Sequence, residues 1–154
     1  MAKEIERIAK LFQRNWDGPM WYGGQLSEKF KDLSWEKAFQ KPAGFSHNIY
    51  EYVRHMHCWR MFTLEMLKGN YAYSVEINSE KDWESAYERT EVAWLKALAD
   101  LENSQQQLAE ALAAFPDEQL DGLVPGKKFK WYALLHGVIH HDIYHSAQIA
   151  VLRK

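Results

Sequence analysis

The chain of 154 residues contains a single cysteine, Cys58, which excludes an intrachain disulfide framework. It lacks an excess of charge of either sign. Nineteen basic residues face 21 acidic ones for a formal net charge of -2, which gives no electrostatic reason to bind DNA or RNA. No apolar run approaches ~18 residues, so no membrane-spanning helix is expected. The opening stretch, MAKEIERIAKLF, carries acidic residues and lacks the apolar region of a signal peptide. Internal repeats, low-complexity tracts and domain linkers are absent, as are the alternating strands that a Rossmann-type fold needs. No Gly-rich phosphate loop, serine elbow or pair of catalytic carboxylates is present. The expectation is a cytoplasmic protein with one domain over residues 1–154 and no nucleic-acid or membrane partner.

What the chain does have is apolar surface arranged for helices. About 47% of it is hydrophobic, with seven Trp, eight Tyr and seven Phe, enough for a sizeable core. Four long stretches carry apolar residues at the 3.6-residue period. The first, over 3–16, sets Ile5, Ile8, Phe12 and Trp16 on one face and stops at DGPMWYGG. A short helix is predicted over 34–40. The second long helix follows Ser46 as N-cap and ends near Lys68, with Gly69 as the C-terminal stop; Tyr52, His55, Trp59, Phe62 and Met66 form one stripe, beside Ile49, Val53, Met56, Thr63 and Leu67. The third opens at SEKD, read as a capping box with Ser79 at the cap and Asp82 three residues on. Its stripe of Trp83, Tyr87, Trp94, Leu98, Leu101, Leu108, Leu112 and Phe115 runs to Pro116. The fourth begins near Trp131 and reaches the end of the chain. The tripeptide VEI at 75–77 is the only short strand candidate and is placed in a loop. Four helices with one apolar face each predict an all-α, four-helix bundle, with the short extra helix in the first connection; whether that connection crosses the bundle end is open.

Four of the seven histidines lie within LLHGVIHHDIYHSAQIAVLRK. Steps of three and four place Leu134, Val138, His141, His145, Gln148 and Leu152 on one line, so His141 and His145 interrupt an interior stripe and point the same way. Buried imidazoles need partners. An i,i+4 pair has the reach to share one transition-metal ion, and it equally suits a hydrogen-bonded core pair. A third ligand would come from the second helix, which offers His55 and His57. His55 shares the Tyr52–Trp59–Phe62 stripe, while His57 falls with Val53, Met61 and Leu64, so spacing leaves the choice open. Cys58 reads as a small buried hydrophobe. His136 and His140 form another i,i+4 pair on a line with Ala133, Tyr144 and Ala147 that reads as a packing or boundary surface. His47, beside the expected cap, reads as exposed.

Two segments resemble the DinB-like family, whose members are four-helix bundles with a three-histidine metal site. FSHNIYEYVRHMHCWRMFTLEMLKG is similar to the family's pattern of cap, helix, His, short gap and Trp. HDIYHSAQIAVLR is similar to its His-x-x-x-His segment followed by Gln and an apolar tail. WYGGQLSEKFKDLSWEKAF also looks like the family's first connection. One departure stands out: Ala147 occupies a step where Gly is common. The resemblance implies His55, His141 and His145 as metal ligands, choosing His55 over His57 and giving His136 and His140 no part. It also implies a small-molecule substrate and a homodimer, for which Trp21, Tyr22, Trp35 and the segment 71–73 are the interface candidates.

Three neutral imidazoles would leave a divalent ion with positive charge and at least one open position. Zinc and nickel suit imidazole, whereas iron or manganese more often recruits a carboxylate. Such an ion lowers the pKa of a water or thiol. The resemblance then implies either a thiol-dependent S-transferase acting with a low-molecular-weight thiol or a hydrolase of an amide or ester. The absence of an evident carboxylate base leans to the former. A third possibility is a non-catalytic stress or structural protein whose metal stabilises the bundle. Asp142, about 100° around the helix from His141, either accepts a proton from a histidine or sits in solvent. Gln148, one turn beyond His145, is placed to orient a ligand or water. Tyr52 and Trp59 read as pocket wall, Trp59 also as core.

Overall fold

The computed structural model describes residues 3–154. Its helices are α1 (Glu4–Asp17), α2 (Trp35–Phe39), α3 (Ile49–Leu67), α4 (Glu91–Ala114) and α5 (Trp131–Leu152), with 3-10 turns at Ser27–Lys29 and Asp117–Gln119. No strand forms among the described residues. Leu123 and Lys130 make one isolated bridge, and 75–77 lies in a loop as expected. The chain is an all-α bundle with α2 in its first connection. No helix among the described residues is long and apolar enough to cross a membrane.

Helix boundaries follow from how the end groups are satisfied. α1 buries Ile5, Ile8 and Phe12, the stripe read from its period. Its cap residue, Lys3, makes no side-chain bond; instead Asp117 reaches across and accepts from the Ile5 amide at 2.7 Å, which ties the start of α1 to the turn before α5. α3 starts two residues later than expected. Asn48, not Ser46, is the cap: Asn48 Oδ1 accepts from the Glu51 amide at 2.8 Å while Glu51 Oε2 accepts from the Asn48 amide at 3.0 Å. The reciprocal box needs a carboxylate three residues on, and three residues beyond Ser46 stands Ile49. At the other end Gly69 has φ +83°, and the Asn70 and Gly69 amides close back on the carbonyls of Glu65 and Met66, a Schellman stop.

The largest departure from the sequence reading is α4. It begins at Glu91, with Thr90 Oγ1 accepting from the Ala93 amide, and not at Ser79. Ser79 does bond the Asp82 amide, but only one turn forms. Glu80 then accepts from both amides of Ser85 and Ala86 and from the Ser85 hydroxyl, curling the chain out of the helical path. Trp83 and Tyr87, expected on the stripe of α4, instead belong to a loop that packs over the N-terminal half of α3. Tyr87 donates to Glu51 and accepts from Asn48, so the cap of α3 anchors that loop.

α4 and α5 each pack against both α1 and α3, which sets α1 and α3 across the bundle from one another. The first connection therefore crosses the bundle end. One apolar cluster fills the half containing α2, the start of α3, α4 and the end of α5, around Ile49, Val53, Met56, Leu101 and Ile149. A second fills the half containing α1, around Ile8, Phe12, Leu64, Leu108 and Leu135. Between them lies a charge. Arg60 of α3, 1% exposed, donates through Nε and Nη2 to Asp142 Oδ2 on α5 at 2.9 and 2.8 Å and through Nη1 to the Leu101 carbonyl on α4 at 3.1 Å. Its guanidinium also lies over the rings of Phe12 and Trp16 on α1, so this one side chain touches all four long helices. Asp142 is thus neither in solvent nor a histidine's proton acceptor. It is fully buried as the partner of Arg60, where burial pushes its carboxyl pKa up against the pull of the guanidinium.

Of the aromatic residues considered for an interface, Trp35 packs on the core through α2, and Tyr73 is half-buried. Trp21 is 92% exposed, and Tyr22 and Tyr71 are also exposed.

Candidate metal centre

α3 and α5 bring three of the histidines together. His55 Nε2 lies 2.9 Å from His141 Nε2, and His145 Nε2 lies 3.1 Å from the same atom. His55 and His145 are each 6% exposed, and His141 is half-buried. The i,i+4 step on α5 sets His141 and His145 in line, and the interior stripe of α3 turns His55 towards them.

The far side of two rings is occupied. His55 Nδ1 faces the Asp82 carbonyl at 3.0 Å and Asp82 Oδ1 at 2.9 Å. His145 Nδ1 faces Gln148 Oε1 at 2.6 Å. All these partners are acceptors, so both rings carry their proton on Nδ1 and turn a bare Nε2 lone pair inward. Two lone pairs facing His141 Nε2 cannot both be satisfied by its single proton. Three imidazole nitrogens converge there, and the group could hold one metal ion. No carboxylate joins it among the described residues.

Electrostatics agree with that reading. Burial, with the neighbouring His145 and His55 adding to it, holds the His141 pKa down to about 3. Burial holds His145 at about 4 against the bond to Gln148. His55 is lowered by burial as well, opposed by Asp82. All three rings are neutral at pH 7, the form that binds metals.

Aromatic rings close the rear of the site. Trp83 stacks face to face on His55 at 3.8 Å and on His47 at 3.6 Å, so the indole is sandwiched between two imidazoles. His47, expected to be exposed, is half-buried in that stack, with Nδ1 3.2 Å from Glu51 Oε2. Tyr52 lies 5.3 Å from His145, and Trp59 donates its indole N–H to Asp82 Oδ1 at 2.8 Å. Trp59 also walls a cavity of about 560 Å³ that reaches His141.

The other candidates lie elsewhere. His57 lines a separate hollow with Arg54, Cys58 and Lys81 on the opposite flank of α3. Burial raises the Cys58 thiol pKa, consistent with a small buried hydrophobe. His136 lies against Tyr132 with the rings tilted, its Nε2 3.7 Å from a Glu4 oxygen at the start of α1, and His140 is exposed.

Sequence reasoning missed Asp82 and Trp83 as parts of the site and Arg60 as its support. The spacing of SEKD casts Asp82 as the partner in a helix cap. The signal that could have corrected this is the break in the third stripe: after Tyr87 the next expected inward positions are Thr90 and Glu91, both polar, so 79–90 need not be helix.

No curated protein and no solved structure matches the chain. The family model of the DinB superfamily matches residues 24–149, which include all three clustered histidines, and the chain belongs to that superfamily.

Proposed function

We propose that His55, His141 and His145 hold one divalent ion, zinc or nickel, and that the chain is a metal-dependent S-transferase joining a low-molecular-weight thiol to an electrophile. The observation that carries this reading is the convergence of three Nε2 atoms, on two buried rings and one half-buried ring, with no carboxylate among them. An all-imidazole set favours zinc or nickel over ions that prefer oxygen. A divalent ion held there supplies a Lewis acid that lowers the pKa of a thiol or a water molecule.

The chain's own part is to keep the donors neutral and aimed. Burial does the first, and Asp82 and Gln148 do the second by fixing the tautomers of His55 and His145. Trp83 covers one face of His55. A hydrolase of amides or esters would want a free base near the site to take a proton from water. Asp82 is the nearest carboxylate, and it is already committed: Oδ1 to Trp59 and His55, Oδ2 to the Asn78 amide at 2.8 Å. A thiol, more acidic than water, needs such a base less, which favours transfer. In that reaction the sulfur–carbon bond forms as the bond from carbon to the leaving group breaks; the leaving group keeps the electron pair and the thiol proton passes to solvent.

The test is a titration of the cobalt-loaded protein with mercaptoethanol, followed by absorption. A new sulfur-to-metal charge-transfer band in the near ultraviolet is expected. Its absence at saturating thiol would reject the transferase and leave hydrolysis or a purely stabilising metal.

A further inference from the structure

We propose that the cavity beside His141 receives the apolar body of an anionic organic substrate, that Lys127 pairs with the anion, and that Gly137 sets the room available. The inference rests on the reading of the three histidines as a metal site only for where the substrate's reacting atom lies. The cavity stands on its own observations.

Its walls are contributed by four parts of the chain. Trp59 and Phe62 come from α3, Val75 from the loop that follows it, Phe129 from the segment before α5, and Leu134 and Val138 from α5. At about 560 Å³ it is the size of a small-molecule pocket, and its lining is predominantly apolar with few polar groups, the usual composition of such sites. His141 is part of the lining, so the cavity reaches the histidine cluster.

Lys127 is the only cationic side chain on the wall. It has no carboxylate partner among the described residues. Its ammonium is 3.5 Å from the Tyr73 carbonyl and 5.7 Å from the centre of the Phe62 ring. A single cation beside an aromatic-rich lining complements a molecule with one anionic group on an apolar, preferably aromatic, body.

Gly137 supplies an independent observation. It lies inside α5, one turn before His141, where glycine disfavours the helix relative to alanine. Neither of the usual structural reasons for glycine applies. Its φ is not in the left-handed region, and a Cβ built there meets no atom within 4 Å. That Cβ would point into unfilled space, and Gly137 lines the cavity. The missing side chain is cavity volume one turn from the cluster.

The test uses two fluorescent probes of similar shape, anilinonaphthalene sulfonate, an anion, and N-phenylnaphthylamine, which is neutral. Each is titrated into metal-loaded and metal-free protein. Both are expected to bind wild type in either form. Gly137→Leu should weaken both by about tenfold or more, because with a probe bound the added side chain overpacks the cavity. Gly137→Ala keeps the fold and should weaken them less. Lys127→Met should weaken the sulfonate by about fivefold, the scale of one partly exposed ion pair, and leave the neutral probe unchanged. Metal content should be that of wild type in all three variants. Equal binding of both probes by wild type and Gly137→Leu overturns the assignment of the cavity. Equal weakening of both probes by Lys127→Met overturns the anionic substrate class. Neither outcome touches the thiol titration, and failure of the thiol titration would leave these probe results standing.

Discussion

Asp82 faces His55 Nδ1 with two oxygens, its backbone carbonyl at 3.0 Å and its carboxylate Oδ1 at 2.9 Å. The residue is 3% exposed, and the same carboxylate takes the Trp59 indole N–H and the Asn78 amide. It therefore holds the loop, the tryptophan and the histidine in one arrangement. Groups that orient a metal-binding histidine in this way typically contribute ~10–100-fold in metal affinity. Asp82→Asn is expected to weaken zinc binding within that range, measured by competition with a chromogenic chelator, while the fold survives by circular dichroism. An affinity within twofold of wild type would show that Asp82 does not support the site.

Arg60 and Asp142 form an ion pair at the centre of the bundle, and removal of one member leaves the other charge buried without a partner. Breaking such a pair costs ~3–5 kcal/mol, whereas replacing both members with apolar residues of similar volume is often neutral or better. Asp142→Leu should accordingly unfold at markedly lower denaturant, and Arg60→Met with Asp142→Leu should recover much of the loss. Chemical denaturation of both proteins checks this. A single variant as stable as wild type would contradict the structural role given to the pair.

Acid should destabilise the protein once it has been stripped of metal with a chelator. In the unfolded chain the imidazoles take up protons near their ordinary pKa of ~6.5. In the folded chain His145 does so only at about 4 and His141 only at about 3. Between these limits the unfolded state binds more protons, so stability is full above ~6.5 and falls as the pH falls. Denaturant midpoints from pH 7.5 down to pH 5 should decline, and less steeply in His145→Gln. A midpoint whose pH dependence is unchanged by that substitution would contradict the burial of His145 as a neutral ring.

Gly137→Ala offers a simple check on α5. With φ in the ordinary helical range and open space at the Cβ position, alanine should stabilise the protein by ~0.5–1 kcal/mol. A lower melting temperature would show that the glycine has a packing role that the open space around it conceals.

Periodicity made the helices legible where one face is buried along its full length. Ile5, Ile8 and Phe12 fixed α1, and Leu134, Val138 and Leu152 placed His141 and His145 on the interior line of α5. The same rule misled at Trp83 and Tyr87. Their spacing fits a helix, but both lie half-buried in a loop, because aromatic residues packed over α3 satisfy the pattern without helical backbone. Spacing also could not separate His55 from His57, since both lie on partly apolar lines of α3. Their difference is tertiary: one flank of α3 faces α5 and the other faces a hollow beside Arg54 and Lys81. Asp82 and the Arg60–Asp142 pair were hidden for a related reason. Each depends on partners 23 residues or more away in sequence, and no local pattern encodes such a meeting.

The central claim is that His55, His141 and His145 together hold one divalent ion, and elemental analysis of purified protein tests it most directly. Wild type, His55→Ala, His141→Ala and His145→Ala are compared with His57→Ala and His136→Ala. Those two controls alter histidines that lie outside the cluster. The expected result is about one zinc or nickel per chain in wild type and in both controls, with most of the metal lost from each of the three cluster variants, a larger loss than the ~10–100-fold weakening typical of an orienting group. Metal retained by His55→Ala and lost by His57→Ala, or equal metal in every protein, would contradict the account.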